Sequence, residues 1–400
     1  MEFPEIEFDH HSPEFVSKHQ DLYSKLRSQC PVAHTSAHGG YWVIASYEDV
    51  SKVARNDAVF SSARDVVIPV TNVGRLIPLQ SDPPELRRFR GLLNPYFTAR
   101  HLESHLKEFI RQRIDDCIDA FIEVGHVELM DQLANPIPSS VTMRLLGLNP
   151  SDWNVFAHPI HAASYAIPGS PEHIAAMVSV NEFSAIIESE VHQRVTNPRQ
   201  DMISELLVSE WEGVKTSVDE VVDLTRMVIF AGMDTVMASL GNIYVRLGER
   251  PDIRDQLVKN PQLLPGAIEE FLRFDTAVQG FARTVTEETE LGGIKLKPSD
   301  TVFMLWASAN RDPAHFGEDS DSINIERKPN RHMTFGVGAH FCIGAALARL
   351  QLNLTLNRTL ERMPDLKIDL ANVKQPASIG IVKGLKSVPG IFSPGKRIKR

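Results

Sequence analysis

The sequence predicts a mainly α-helical protein with small β-sheets, an α+β chain forming a single domain over residues 1–400. Three observations lead there. A helical pattern of about 31 residues runs from Ser217 to Gly248, and apolar positions recur at helical period over 100–124 and 139–147. Extended patterns are confined to about 41–45, 283–305 and 376–388. No internal repeat and no Gly/Ser-rich linker divides the chain, and 42% hydrophobic residues are ample for one large core.

Composition removes several classes of function. A formal charge of −9 argues against nucleic acid as the main partner, because neutralising phosphates needs a basic excess. Cys30, Cys117 and Cys342 are too widely and irregularly spaced for a disulfide framework or a zinc site. That usage fits a reducing cytoplasm. The start, Met-Glu-Phe-Pro-Glu-Ile-Glu-Phe, is acidic and broken by proline, unlike a signal peptide or an anchor. No uninterrupted run of about 18 apolar residues occurs. The expectation is a soluble, cytoplasmic protein without a membrane anchor.

Taken in order, residues 1–40 are loop-rich apart from a helix over Pro13–Gln29. Tyr41–Ile44 reads as a strand, and Tyr47–Asn56 as the helix after it. Ser61–Ser81 is an apolar loop with no steady period, long enough to suggest a functional role. Ser81-Asp82-Pro83-Pro84-Glu85 starts a helix, with proline early and acid in the first turn. Residues 151–197 divide into two or three shorter helices. Ser217-Val-Asp-Glu220 is a capping box, and Gly248 with Pro251 marks the far end of the long helix. At 1.5 Å per residue that helix spans roughly 46 Å. Met227–Val236 is apolar on nearly every face and is expected to be buried all round. Gly232, Asp234 and Thr235 sit inside this apolar middle. A carboxylate there must be paired or employed. By itself the pattern allows a bland reading, with Thr235 bonded to the carbonyl four residues earlier and Asp234 reaching a basic side chain. Glu270 and Arg273 share one helical face, a spacing that is weak as a bare motif. Ala309-Asn310-Arg311-Asp312-Pro313 is a turn, and an irregular segment containing Arg327 follows it.

Phe335 to Gly344, Phe-Gly-Val-Gly-Ala-His-Phe-Cys-Ile-Gly, is the most informative stretch. Its glycines permit tight turns and close approach to a flat partner. A helix-forming run from Ile343 to about Met363 places Cys342 at a helix N-terminus, where dipole and free N–H groups favour a thiolate. Such a thiolate is either a nucleophile or a metal ligand.

Phe335-x-x-Gly338-x-x-x-Cys342-x-Gly344 resembles the haem-binding loop of the cytochrome P450 superfamily. Ala231-Gly232-Met233-Asp234-Thr235 is similar to that family's oxygen-activating helix segment, and Glu270-x-x-Arg273 with Arg327 resembles its structural triad. The Asp82-Pro83-Pro84-Glu85 helix start and the Ala-Asn-Arg-Asp-Pro turn match soluble bacterial members. The motifs stand in the family's order and span essentially the whole chain. The resemblance implies the P450 fold, with haem b (iron protoporphyrin IX) between the long central helix and the Cys-loop helix. Cys342 would be the axial thiolate and so the metal ligand. Phe335 and Gly336 would lie along the cofactor, and His340, Arg90 and Arg283 would meet its propionates. Many relatives carry a histidine where this chain has Leu86, which cannot donate.

The catalytic residues implied are Asp234, feeding protons inward, Thr235, ordering a water, and Gly232, making room for O2 and that water. The implied reaction is insertion of one oxygen atom from O2 into a C–H or C=C bond of a hydrophobic molecule. No nicotinamide or flavin fingerprint is present. Electrons are therefore expected from a ferredoxin-type partner with its ferredoxin reductase, steered by a basic face of Arg87, Arg88, Arg90 and Arg349. The basic run Lys396–Arg400 reads as a solvated tail. The pocket walls are expected from the Ser61–Ser81 loop (Val66, Val67, Ile68, Val70, Leu76, Ile77, Leu79), the 151–197 helices, Met227, Phe230, Gln279 and Ile381–Val382. A terpenoid, steroid-like or fatty-acid-like substrate would suit them.

Three other readings fit less well. A thiol hydrolase lacks a base in good geometry, since His340 is only two residues from Cys342. A haem-thiolate sensor or electron carrier leaves Asp234 and Thr235 unexplained. Peroxide-driven peroxygenases typically lack the acid–alcohol pair.

Overall fold

The computed structural model describes residues 4–71 and 73–398. The first three residues of the acidic start, and Lys399 and Arg400 of the basic run, lie outside them. Helices dominate, as the sequence predicts. Pro13–Gln29 and Tyr47–Arg55 form where expected, each opened by a serine whose side chain accepts a backbone N–H. Residues 100–124 fold as two helices, Ala99–His105 and Lys107–Phe121, and Pro136–Leu146 covers the next pattern. The 151–197 stretch is two helices, Trp153–Tyr165 and Pro171–Thr196, the second capped by Ser170.

The central helix runs over Val218–Glu249. Both halves of its capping box are formed, with Ser217 Oγ accepting from the Glu220 N–H at 3.2 Å and Glu220 Oε2 from the Ser217 N–H at 2.8 Å. Gly248 does not end it. A side chain there would press on Ile368, so the glycine lets the Lys367–Ile368 strand pass close by. Pro251 opens the following helix, Pro251–Lys259. By length and composition the central helix could cross a membrane, but it is the packed core helix of the largest apolar cluster.

A five-stranded sheet carries the second core. Its order is Val32–Thr35, Tyr41–Ile44, Thr301–Met304, Phe281–Val285, Phe60–Ser61, antiparallel except where Val302 faces Trp42. Within it Arg283 faces Val302. Val32–Thr35, the His126–Glu128 strand and the hairpin of Glu210–Trp211 with Val214–Lys215 escape a reading of the sequence, being too short for a period to register. The expected strand over 376–388 does not form as such. Gly380 turns the chain at φ +54° and Gly384 sits against the Tyr165 hydroxyl, leaving isolated bridges (Val278 with Val382, Lys374 with Ser387) before a strand at Pro389–Ile391. Of the basic run, Lys396 and Arg397 are both engaged. Arg397 pairs with Glu123 at 3.1 Å, and the Lys396 carbonyl accepts from Arg362.

The N-terminal segment clamps the Ser61–Ser81 loop. His10 Nε2 and His11 Nε2 both lie within hydrogen-bond reach of the Ile68 carbonyl, at 3.0 and 2.8 Å. Burial lowers His10 well below the usual histidine range, with His11 and His38 adding to the effect. His11 is lowered to about 4, by burial first. A histidine depressed in the folded state binds its proton more readily when unfolded, so stability falls as pH drops from about 6.5 toward 4. By pH 4, His11 alone is expected to cost roughly 3 kcal/mol. Chemical denaturation across this range should show the loss, and it should shrink by about that amount in His11→Gln.

Candidate active site

The Cys342 loop is held from both sides. Gly336 and Gly338 take φ of +68° and +77°, and a side chain on Gly338 would strike the Ala54 carbonyl, so both positions need glycine. The Cys342 N–H donates to the Phe335 carbonyl at 2.8 Å, closing the loop before the Ala345–Arg362 helix begins. Arg349 on that helix lies over the Phe335 ring at 4.4 Å and forks onto Glu269 at 2.7 and 2.8 Å. Cys342 itself stays half-buried and Phe341 is exposed. The expected thiolate is not favoured by the protein alone. Burial pushes the thiol up, against the pull of the Gly344 N–H, Arg90 and Arg349. A bound metal would supply the missing stabilisation.

Arg90, Arg283 and His340 gather near Cys342. His340 is lowered to about 3, by burial first and then by Arg283 and Arg90. Its ring lies within hydrogen-bond reach of Ser62 Oγ at 3.0 Å. Arg90, half-buried, feels Cys342. Arg283 is 3% exposed and its Nε has no hydrogen-bond partner. Burial lowers it to about 10, while Asp57 and Asp82 pull the other way. Among the described residues neither arginine reaches a carboxylate within ion-pair distance. Cationic donors withdrawn from water with no carboxylate in direct contact suit an anionic ligand, and haem carries two carboxylates. The residues present thus fit the group. Asp82, expected to open the Glu85–Leu93 helix, is used otherwise. It accepts from the Ser61 hydroxyl at 2.5 Å and the Ser62 N–H at 2.7 Å, which sets Ser62 against His340. Leu86 is buried, so the face that holds histidine in many relatives is core here.

The central helix is covered along its middle except on one stripe. From Met227 to Leu240 only Met227, Phe230, Ala231, Gly232 and Thr235 keep exposure. This departs from burial all round, because residues at this spacing share one face. The Thr235 hydroxyl donates to the Ala231 carbonyl at 3.0 Å, as the bland reading has it. Asp234, 3% exposed, points elsewhere. Its Oδ2 accepts from Ser164 Oγ at 2.7 Å, and its Oδ1 lies 2.6 Å from His161 Nε2, the ring nitrogen standing off the hydrogen-bond axis. Both partners come from the Trp153–Tyr165 helix, some seventy residues earlier. The space that Gly232 opens is occupied by Thr142, whose Oγ1 a side chain would overlap. Its evident service is the close packing of the Pro136–Leu146 helix.

The structural triad is complete. Arg273 forks onto Glu270 at 2.7 and 2.8 Å with both side chains fully buried, and Arg327 Nε adds 3.2 Å to the same carboxylate. Other expectations need correction. Gln279 does not line a pocket. It is buried, accepting from the Tyr23 hydroxyl at 2.7 Å, and Val278 keeps exposure beside Ile381 and Val382. In the Ser61–Ser81 loop, Val66, Ile68, Leu76 and Ile77 are buried, with Ile68 and Ile77 in core clusters. Val67 and Leu79 are half-buried, and Val70 is exposed. The basic face is largely spent. Arg88 is paired with Glu220 at 2.5 Å, Arg349 with Glu269, and Arg90 turns toward Cys342, leaving Arg87 exposed. His161 and Ser164 were missed because nothing local in the sequence ties them to Asp234.

A cysteine loop at a helix N-terminus, two arginines beside it with no carboxylate in direct contact among the described residues, and an uncovered stripe on a core helix together suit a haem-thiolate protein. Comparison with known proteins gives the family. The Cytochrome P450 family model matches residues 171–364. A Steroid C26-monooxygenase of Mycolicibacterium smegmatis is 32% identical, the alignment covering 94% of this chain and 93% of the relative. The Polyketide biosynthesis cytochrome P450 PksS of Bacillus subtilis is 28% identical over 96% of this chain and 98% of its own. The crystal structure of CYP109E1 from Bacillus megaterium in complex with testosterone superposes with a TM-score of 0.86 at 26% identity, covering 96% of this chain and all of the other. The chain belongs to the cytochrome P450 family, and it is a monooxygenase enzyme whose members bind haem b through a cysteine thiolate.

Proposed function

We propose that residues 1–400 act as one haem-binding unit that hydroxylates or epoxidises a compact hydrophobic substrate, steroid-like, terpenoid or fatty-acid-like, using O2. Electrons come from a separate ferredoxin-type protein and its reductase. One observation carries the reading: Arg90, Arg283 and His340 gather around the Cys342 loop with no carboxylate in ion-pair reach among the described residues. Cys342 would hold the iron, and Arg90, Arg283 and His340 would bind the propionates. Phe335 and Gly336, closed against Cys342, would lie along the macrocycle. When bound, haem supplies the reduction of O2, with the thiolate favouring O–O cleavage over reversible binding.

The protein's own groups do the rest. Phe230, Met227 and Val278 present apolar surface to the substrate and exclude water. Asp234 holds a proton-transferring carboxylate at the edge of the uncovered stripe, and Thr235, after releasing Ala231, offers a hydroxyl on that stripe. The relatives named above, a steroid monooxygenase and a polyketide-biosynthesis P450, support a hydrophobic substrate class.

The test is spectroscopic. The reduced protein under carbon monoxide should give the red-shifted Soret band of thiolate-ligated haem, and Cys342→Ser should lose it. A wild-type protein without that band refutes the assignment. Spin-state shifts with a panel of steroids, terpenoids, fatty acids and macrolides would then rank the substrates, and silence of the first three would refute the proposed class.

A further inference from the structure

We propose that His161 is the group through which protons enter the active site, carrying them from the protein surface to Asp234. The inference rests on the monooxygenase reading and adds the residue that makes Asp234 rechargeable. A buried carboxylate delivers one proton and must then be reprotonated. Among the described residues, its polar contacts outside its own helix all lie on the Trp153–Tyr165 helix. Ser164 holds Oδ2 and fixes the carboxylate. His161 stands 2.6 Å from Oδ1 but off axis, and among the described residues neither atom has another hydrogen-bond partner. A small ring rotation therefore makes or breaks the bond. The ring side chain is 12% exposed against 4% for Asp234, so of the two it is the one solvent reaches more readily.

The charged surroundings suit that task. Asp131, exposed on the turn at Met130–Ala134, feels both His158 and His161, and His158 is exposed one helical turn before His161. Tyr165, one turn after it, is buried, its hydroxyl raised by burial and by Asp234, so it stays protonated. The neighbouring Pro171–Thr196 helix meets this one through an apolar contact, Phe156 on Phe183. The ring takes a proton from solvent, supported by Asp131, and gives one from Nε2 to Asp234 Oδ1. It is left neutral and ready to take another. An arginine or lysine partner could hold the acid in place but would not exchange protons at neutral pH, whereas histidine does.

The experiment uses the holoenzyme reconstituted with a plant-type ferredoxin and its reductase, without substrate, and follows oxygen consumption against pH in H2O and D2O. His161→Gln should consume oxygen about tenfold more slowly with an enlarged solvent isotope effect, while its carbon-monoxide spectrum stays that of the wild type. His161→Lys restores the charge pair but should flatten the pH profile. Wild-type pH profiles and isotope effects in both His161 variants would overturn the relay. Failure of the monooxygenase reading would show instead in the wild-type spectrum.

Discussion

Glu270→Ala is expected to destabilise the fold by about 3–5 kcal/mol, a large part of the 5–15 kcal/mol that holds a typical protein together. The pair of Glu270 and Arg273 is fully buried, and a lone charge in that position is far more costly than the pair. Glu270 also accepts from the Asn324 N–H at 2.8 Å and from Asn330 at 3.1 Å, and it holds Arg327. Arg273 meanwhile donates to the carbonyls of Asn310, Ser320 and Ser322. Removal of one carboxylate therefore loosens the irregular segment that leads into the Cys342 loop. Asn310 extends the damage, because its Oδ1 receives the Met333 N–H at 2.6 Å and its amide donates to Thr334. Urea denaturation should show the loss, and the thiolate band should weaken along with it. Glu269→Gln, whose parent is partly exposed beside Arg349 and His332, should cost about 1 kcal/mol. Equal stability of the two variants would show that burial of the pair is not what matters.

The features legible in the sequence are those whose physics is local. The capping box at Ser217, the glycine turns around Cys342 and the spacing of Glu270 and Arg273 all encode geometry within a few residues. What the sequence hides is contact between distant segments. It shows that Asp234 needs a partner but not that His161 and Ser164 provide one, because the pairing depends on how two helices cross. Gly232 reads as an opening toward a ligand, yet its missing side chain admits Thr142. Gln279 and Val278 are adjacent, and only the turn of the backbone decides which meets the core. A run of arginines reads as a basic face until Glu220 and Glu269, far along the chain, take two of them. The thiolate is a subtler case. Helix position argues for it, but desolvation of Cys342 outweighs the N–H groups, so its anion depends on a bound metal.

Asp234→Asn should lower turnover by about a hundredfold or more while leaving the thiolate band intact. The amide is isosteric and can still accept from Ser164, so the helix crossing survives. It cannot pass on a proton, and it leaves His161 facing a neutral group. Thr235→Ala should behave differently. Its hydroxyl now donates to Ala231 at 3.0 Å, a bond of about 1 kcal/mol that must be given up before the group can order a water on the uncovered stripe. Without it, protons still arrive through Asp234, so oxygen consumption continues but its electrons leave as hydrogen peroxide instead of in product. Oxygen uptake and peroxide release, measured together with a compound chosen by its spin-state shift, separate the two roles. Slow uptake with little peroxide marks a failure of proton delivery, and near-normal uptake with much peroxide marks a failure of placement. If Asp234→Asn were to give the second pattern, Asp234 would be positioning Thr235 rather than supplying protons. Thr235→Ser, which keeps the hydroxyl and its freedom to rotate, should restore product formation.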